Sequence, residues 1–273
     1  MHAVLRHSIA ILTALVLSLC ALPLAAQTSQ PEALQALRAA VDSEMRADHT
    51  DKSIWTYRDH DNVPEKNATY TTIETRHGSL RRMIELDGKP LSPSAAQAET
   101  DRIDHYVHDP SALARTRKNG AHDDAQASEL LTMLPDAFIW TMVSQSPEWV
   151  TLSFRPNPSF DPPNIEARIM SMMAGQVLIA RDGNRIQTLK GQLTENVNIG
   201  FGLVRMYKGG TFDIERRQVG GGHWQITETH VHIGGHALFF KTIGTQEDEV
   251  KTDWKPSPDN TLEEAAHTLD AQP

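Results

Sequence analysis

The sequence predicts an α+β domain: a large, curved antiparallel sheet with an N-terminal helix and an inserted helical segment packed on its concave side. Three observations predict it. Apolar residues recur at helical spacing near the N-terminus and again between about residues 93 and 134; they alternate with polar residues through much of the stretch from about Ala137 to Trp254; and turn signals punctuate that stretch at hairpin spacing. A sheet that buries one face needs cover on that face only.

Ahead of the domain, Arg6 and His7 precede a mostly apolar run from Ile9 to Leu19, and Leu24-Ala25-Ala26 ends in small residues before Gln27. That order predicts a signal peptide over residues 1–26 and a single mature domain over 27–273, exported to the periplasm. The run is shorter than the roughly 20 apolar residues a spanning helix needs, and no second candidate follows, so the mature chain is expected to carry no transmembrane anchor. Cys20 would be the acylated residue of a lipoprotein, but Leu19 is bulky where such sites take a small residue, which weighs against lipid anchoring. Cys20 is also the sole cysteine. Its removal with the leader excludes disulfides, zinc thiolates and a cysteine nucleophile, leaving a core to stabilise the fold. The formal net charge is −9, and more negative once Arg6 leaves, which argues against nucleic acid and anionic membrane surfaces as partners.

Leu34, Leu37, Val41 and Met45 define an amphipathic helix that opens near Pro31, where a first-turn proline is tolerated, and runs to about Asp48. Trp55 and Tyr57 alternate with polar neighbours, and Ala68–Thr75 and Leu80–Leu86 read as paired strands with Asp87-Gly88 as a turn. Ser92-Pro93 and Asp109-Pro110 each set a capping side chain before a first-turn proline and open two helices; Leu130, Leu131 and Leu134 end a third before Pro135. Val150, Leu152 and Phe154 then alternate with Thr151 and Ser153, and Phe212 and Ile214 with Thr211, Asp213 and Glu215, which predicts half-buried strands. Turns fall at Asp182-Gly183-Asn184, Gly209-Gly210 and Gly220-Gly221-Gly222, and a short helix from Asn164 to Met173 interrupts the meander. Thr261 with Glu264 forms a capping-box pattern for a last helix.

The order helix, strands, helical insertion, long meander, with Gln176 to Ile186 as a central hairpin, resembles the Lol lipoprotein-carrier superfamily. The segments Phe154-Arg155-Pro156-Asn157-Pro158, Pro162-Pro163, Glu166-Ala167-Arg168 and Tyr207 to Glu215 resemble a family of secreted bacterial proteins with no assigned activity. The first resemblance implies a half-open, LolA-like barrel whose helical lid encloses an apolar cavity for acyl chains. It carries over no individual lipid-contacting residue.

Several constellations bear on chemistry. His230 and His232, one residue apart on a strand, share a face, and His236 follows, which makes the three weak metal candidates. If Val231 and Ile233 point inward, however, both histidines are ordinary surface residues. Trp224 and Ile226 have the opposite parity, so a bulge is expected near Glu228. His49, Asp51, Asp59, His60 and Asp61 could supply acid–base pairs, but a solvated connector between the first helix and strand explains them equally well. Asp101, Asp104, His105 and His108 read as a polar helix face. Ser144 and Ser146 lack the context of a nucleophile elbow, and Gly220–Gly222 feeds a strand, where a phosphate cradle feeds a helix.

The apolar feature that fits ligand binding best combines Ile169, Met170, Met172 and Met173 with Phe138, Trp140, Leu152 and Phe154. Methionine adapts to ligands of varied shape, yet methionines on a short helix against a sheet are also ordinary core filler. The expected function is a periplasmic, non-enzymatic binding or carrier module for an acyl chain, a lipoprotein or another hydrophobic ligand, with no cofactor. The alternative is an envelope sensor or protein-interaction module; a metal-dependent hydrolase ranks below both.

Overall fold

The computed structural model describes residues 25–199, 204–237 and 245–271. The expected leader and Cys20 lie outside the described residues, apart from Ala25 and Ala26, which begin the first helix. Helix α1 (Ala25–Thr50) leads into β1 (Trp55–Val63), β2 (Lys66–Thr75), β3 (Gly78–Leu86) and the short β4 (Lys89–Pro90). Helices α2 (Pro93–Val107) and α3 (Pro110–Ala137) follow, then β5 (Phe138–Gln145), β6 (Trp149–Pro156), α4 (Ile165–Ser171), β7 (Met173–Ala180) and β8 (Arg185–Leu193). The chain ends with β9 (Val197–Ile199), β10 (Val204–Met206), β11 (Thr211–Gly220), β12 (His223–Ile233), β13 (Gly235–Ala237), β14 (Thr245–Pro256) and α5 (Leu262–Asp270).

The expected sheet is present: eleven antiparallel strands in the order β4-β3-β2-β1-β14-β12-β11-β8-β7-β6-β5. It is not closed into a barrel, because the two edges, β4 and β5, do not pair. Those edges are neighbours in the chain, joined only through α2 and α3. Strands β13, β10 and β9 form a separate small sheet that the sequence pattern does not reveal. Among the described residues no helix is long and apolar enough to cross a membrane.

Local chemistry sets the element ends as expected. Ser92 Oγ accepts from Ala95 N, Asp109 Oδ1 accepts from Ser111 N and Ala112 N, and Thr261 and Glu264 complete a capping box. Two boundaries differ. Helix α1 begins at Ala25, upstream of Pro31, so that Pro31 lies inside the helix and not in its first turn. The inserted segment holds two helices where three were expected: α3 runs unbroken through Gly120 to Ala137, with Pro135 falling in its last turn. The carbonyl of Leu134, near that frayed end, accepts a hydrogen bond from the buried Trp140 indole at 3.0 Å.

Residues directly opposite in antiparallel strands share a face, so the pairings Trp140↔Phe154, Leu152↔Val177↔Leu189↔Ile214↔Thr229↔Glu249↔Asp61 trace one face across the sheet. Helix α1 packs on it, where Leu37 and Val41 join Trp140, Leu152, Phe154 and Val177 in the larger core. Ile73 and Leu80 have the opposite parity and form a second core with Ile103 and Val107 of α2 and Leu262 and Leu269 of α5. The expectation that the N-terminal helix and the inserted helices share one concave side is therefore corrected: α2 lies across the sheet from α1. The reason is legible in β2, where Tyr70, Thr71, Thr72 and Ile73 are all buried, so the sheet needs cover on both faces there. Helix α3 connects the two cores, with Leu113 against the second and Leu134 in the first.

A buried ionic contact fixes α1 to the sheet. Glu44 receives Arg185 through two nitrogens at 3.1 and 2.8 Å, Ile186 N at 2.7 Å, and Arg216 Nη1 at 2.5 Å. Burial alone would raise its pKa, but the Arg185 hydrogen bonds and the Arg216 charge outweigh that and hold the carboxyl below its ordinary value. The Glu44→Gln variant leaves two arginines without their counter-charge and is expected to lose about 3–5 kcal/mol of stability. A lower urea midpoint at unchanged slope would report it, and the difference from wild type should shrink as pH falls and Glu44 itself is protonated.

Candidate functional site

The residues proposed as an apolar wall do come together. Phe138, Trp140, Leu152, Phe154 and Met173 are all buried in the larger core, and Ile169, Met170 and Met172 pack against it half-buried. Phe154 lies 4.7 Å from Phe138 and 5.2 Å from Trp140 between ring centroids. Helix α1 is seated over the buried members of the group, through Leu37 and Val41. A cleft of about 430 Å³ between the end of α1 and two hairpin ends includes Ser43, Arg46, Thr50, Asp182, Gln218 and Trp224.

The histidine run is divided between two sheets. His230 and His232 lie on β12, on the face opposite α1, while His236 belongs to β13, where its backbone pairs with Arg205. Val231 and Ile233 take the other parity, and the expected bulge is present: Glu215 pairs with Glu228 and Arg216 with Ile226, leaving Thr227 as the extra residue. The residue that sequence reading missed is Asp248 on the neighbouring strand β14. Its Oδ1 lies 2.6 Å from His230 Nδ1 and 2.9 Å from His232 Nε2. Both rings thus direct a nitrogen at one carboxylate oxygen, an arrangement that holds a proton. The hydrogen bond to Asp248 raises the His230 pKa against a smaller opposing effect of burial, and the same contact lowers that of Asp248. The His230 contribution to stability is complete below 6.5 and is lost as pH rises through its raised value; that of Asp248 is present above 3.8 and is lost as pH falls. NMR titration should place His230 above its ordinary pKa, and Asp248→Asn should lower it, with Glu228 still acting to raise it. With these side chains a third to a half exposed, the stability difference should stay within about 1 kcal/mol.

A second polar group sits on the α1 face, beyond the apolar core. Asp59 and Asp61 alternate on β1, and Glu249 on β14 is directly opposite Asp61. One carboxylate oxygen from each lies within 4.8 Å of the others. Arg81, on β3, stacks 3.6 Å from the Tyr70 ring centroid and bonds Asp61 at 2.5 Å, while Lys251 bonds Glu249 at 2.9 Å. Asp59 has no such partner: Arg81 is 3.9 Å away and Oδ1, fully buried, accepts no hydrogen bond. Burial, then the nearby Glu249 charge, pushes its pKa up to about 6. Beside this group Tyr57 stacks on Trp254 at 4.3 Å, and a β14 bulge with Asp253 at φ 57° places Trp254 there.

No family model matches the chain, and no curated protein or solved structure matches it at a significant level.

The connector reading of the first polar cluster holds for Asp51, which precedes β1 and meets His223 Nδ1 at 3.0 Å, but fails for Asp59, His60 and Asp61, which lie within the strand, and for His49, which lies in the last turn of α1. The alternation Trp55, Tyr57, Asp59, Asp61 was the available signal, since it puts the carboxylates on the aromatic face. A raised acid pKa means that the Asp59 contribution to stability is present below 3.8 and is lost as pH rises through about 6. Asp59→Asn should therefore change stability little near pH 4 and raise it near pH 7 by up to about 3 kcal/mol. Paired denaturant curves at the two pH values read this directly.

Proposed function

We propose that the protein is an exported, non-enzymatic carrier or binding module for an acyl chain, lipoprotein or similar hydrophobic ligand, as the Lol-like order of elements implies. The observation that carries the reading is the open eleven-stranded sheet whose unpaired edges are bridged only by α2 and α3, with the apolar part of one face gathered under α1 and the end of α3. A ligand enters by taking the place of helix side chains on that face, so Leu34, Leu37 and Val41 give way to acyl methylenes. Each buried methylene is worth about 0.8 kcal/mol, and about eight to ten of them offset a substantial cost of moving the helix. Half-buried Ile169, Met170 and Met172 form the adaptable rim of the same site.

A partner-binding reading is favoured by one other observation. Among the described residues no strand pairs with the outer side of β5, and Val143, 51% exposed, lies on that strand, with Trp149 exposed on the adjoining hairpin.

Native mass spectrometry of mature protein purified without detergent, followed by denaturing extraction, tests the carrier reading. Acyl species in a defined ratio to protein are the expected result. Empty protein that also fails to take up a fluorescent fatty acid would overturn it and leave the β5 edge as the candidate.

A further inference from the structure

We propose that Asp59, Asp61 and Glu249 form a binding site for a hard divalent cation, best suited to calcium, on the α1 face of the sheet. The proposal does not depend on what the apolar face carries. Its basis is an imbalance in an otherwise paired cluster. Three carboxylates face two cationic side chains; Arg81 is committed to Asp61 and Lys251 to Glu249. Asp59 is the odd member. It is 3% exposed, its Oδ1 is buried without a donor, and its closest cation, Arg81 Nη2, is beyond hydrogen-bond reach at 3.9 Å. Lys251 is also directly opposite Asp59 but is bonded to Glu249, so Asp59 is only partly compensated; a buried carboxylate in that position is costly, and either a proton or a cation relieves it.

The geometry admits a cation. The three donor oxygens lie within 4.8 Å of one another, and two oxygens on one calcium, each at roughly 2.4 Å, can be separated by at most about 4.8 Å. An all-oxygen donor set selects calcium or magnesium over zinc or copper. Magnesium demands a tighter octahedron at about 2.1 Å, whereas calcium accepts irregular sets completed by water. The donors also stand on paired strands, β1 and β14, so their spacing is set by the sheet ladder before any ion arrives. Arg81 and Lys251 compete for the same oxygens, which places the expected affinity in the weak range of extracellular calcium modules, about 0.1–1 mM.

Tyr57 lies two residues from Asp59 on the same face and stacks on Trp254, so an excited aromatic ring is close enough to sensitise terbium. Chelator-treated mature protein is titrated with terbium, then with calcium as competitor, and its thermal unfolding is followed with and without calcium at about 10 mM, well above the expected dissociation constant. The expected result is saturable terbium emission excited through tryptophan, displacement by calcium, and a calcium-dependent rise of a few degrees in Tm. Asp59→Asn and Glu249→Gln should each lose the emission and the Tm response, and Asp248→Asn, on the opposite face, should keep both. Absence of any saturable response in the wild-type protein, or an equal response in Asp59→Asn and Glu249→Gln, would overturn the site. In the first case a proton alone relieves Asp59; in the second the ions bind elsewhere on an acidic surface.

Discussion

Pairing of β14 with β1 is the contact on which the architecture depends. Without it the chain would hold two sheets, an N-terminal one of β1 to β4 and a C-terminal meander from β5 to β14. With it there is one sheet, its faces are continuous from Trp140 to Asp61, and its edges are β4 and β5. The same pairing sets Glu249 against Asp61, so the ionic cluster exists only because the chain's last strand meets its first. Such a long-range pairing closes a large loop, at an entropic cost that the local hairpins on either side do not carry.

The α1 face is divided between two kinds of chemistry. Over β5 to β8 it is apolar and packed under α1; over β1, β2 and β14 it is aromatic and ionic. Glu44 stands where the covering helix reaches Arg185 at the start of β8 and Arg216 on β11. Directional charge there holds the helix in one register, which apolar packing alone specifies less sharply. Any movement of α1 away from the sheet must break that contact as well as the packing.

Elements whose cause is local were legible in the sequence. Caps at Ser92, Asp109 and Thr261 and the turn at Asp87-Gly88 rest on side chains or backbone within a few residues, and the bulge at Thr227 followed from a parity change that any strand must resolve. What was not legible depends on neighbours distant in the chain. Asp248 became visible only when β14 was placed beside β12, and α2 crossed to the other face because β2 is buried on both sides, a property its unalternating sequence hinted at without saying which helix would supply the cover. The aromatic and methionine residues were correctly read as neighbours, yet their spacing says nothing of whether a helix or a ligand fills the space beside them.

The two sheet edges are unlike each other. Strand β4 is only Lys89–Pro90 and covers just Glu85 and Leu86 of β3; further along β3, α2 reaches the backbone, with Glu99 accepting from Met83 N and Arg102 donating to the Arg81 carbonyl. Strand β5 offers eight residues. The longer uncovered strand among the described residues is thus β5, and two copies meeting edge to edge through it would make a head-on pairing that terminates at a dimer.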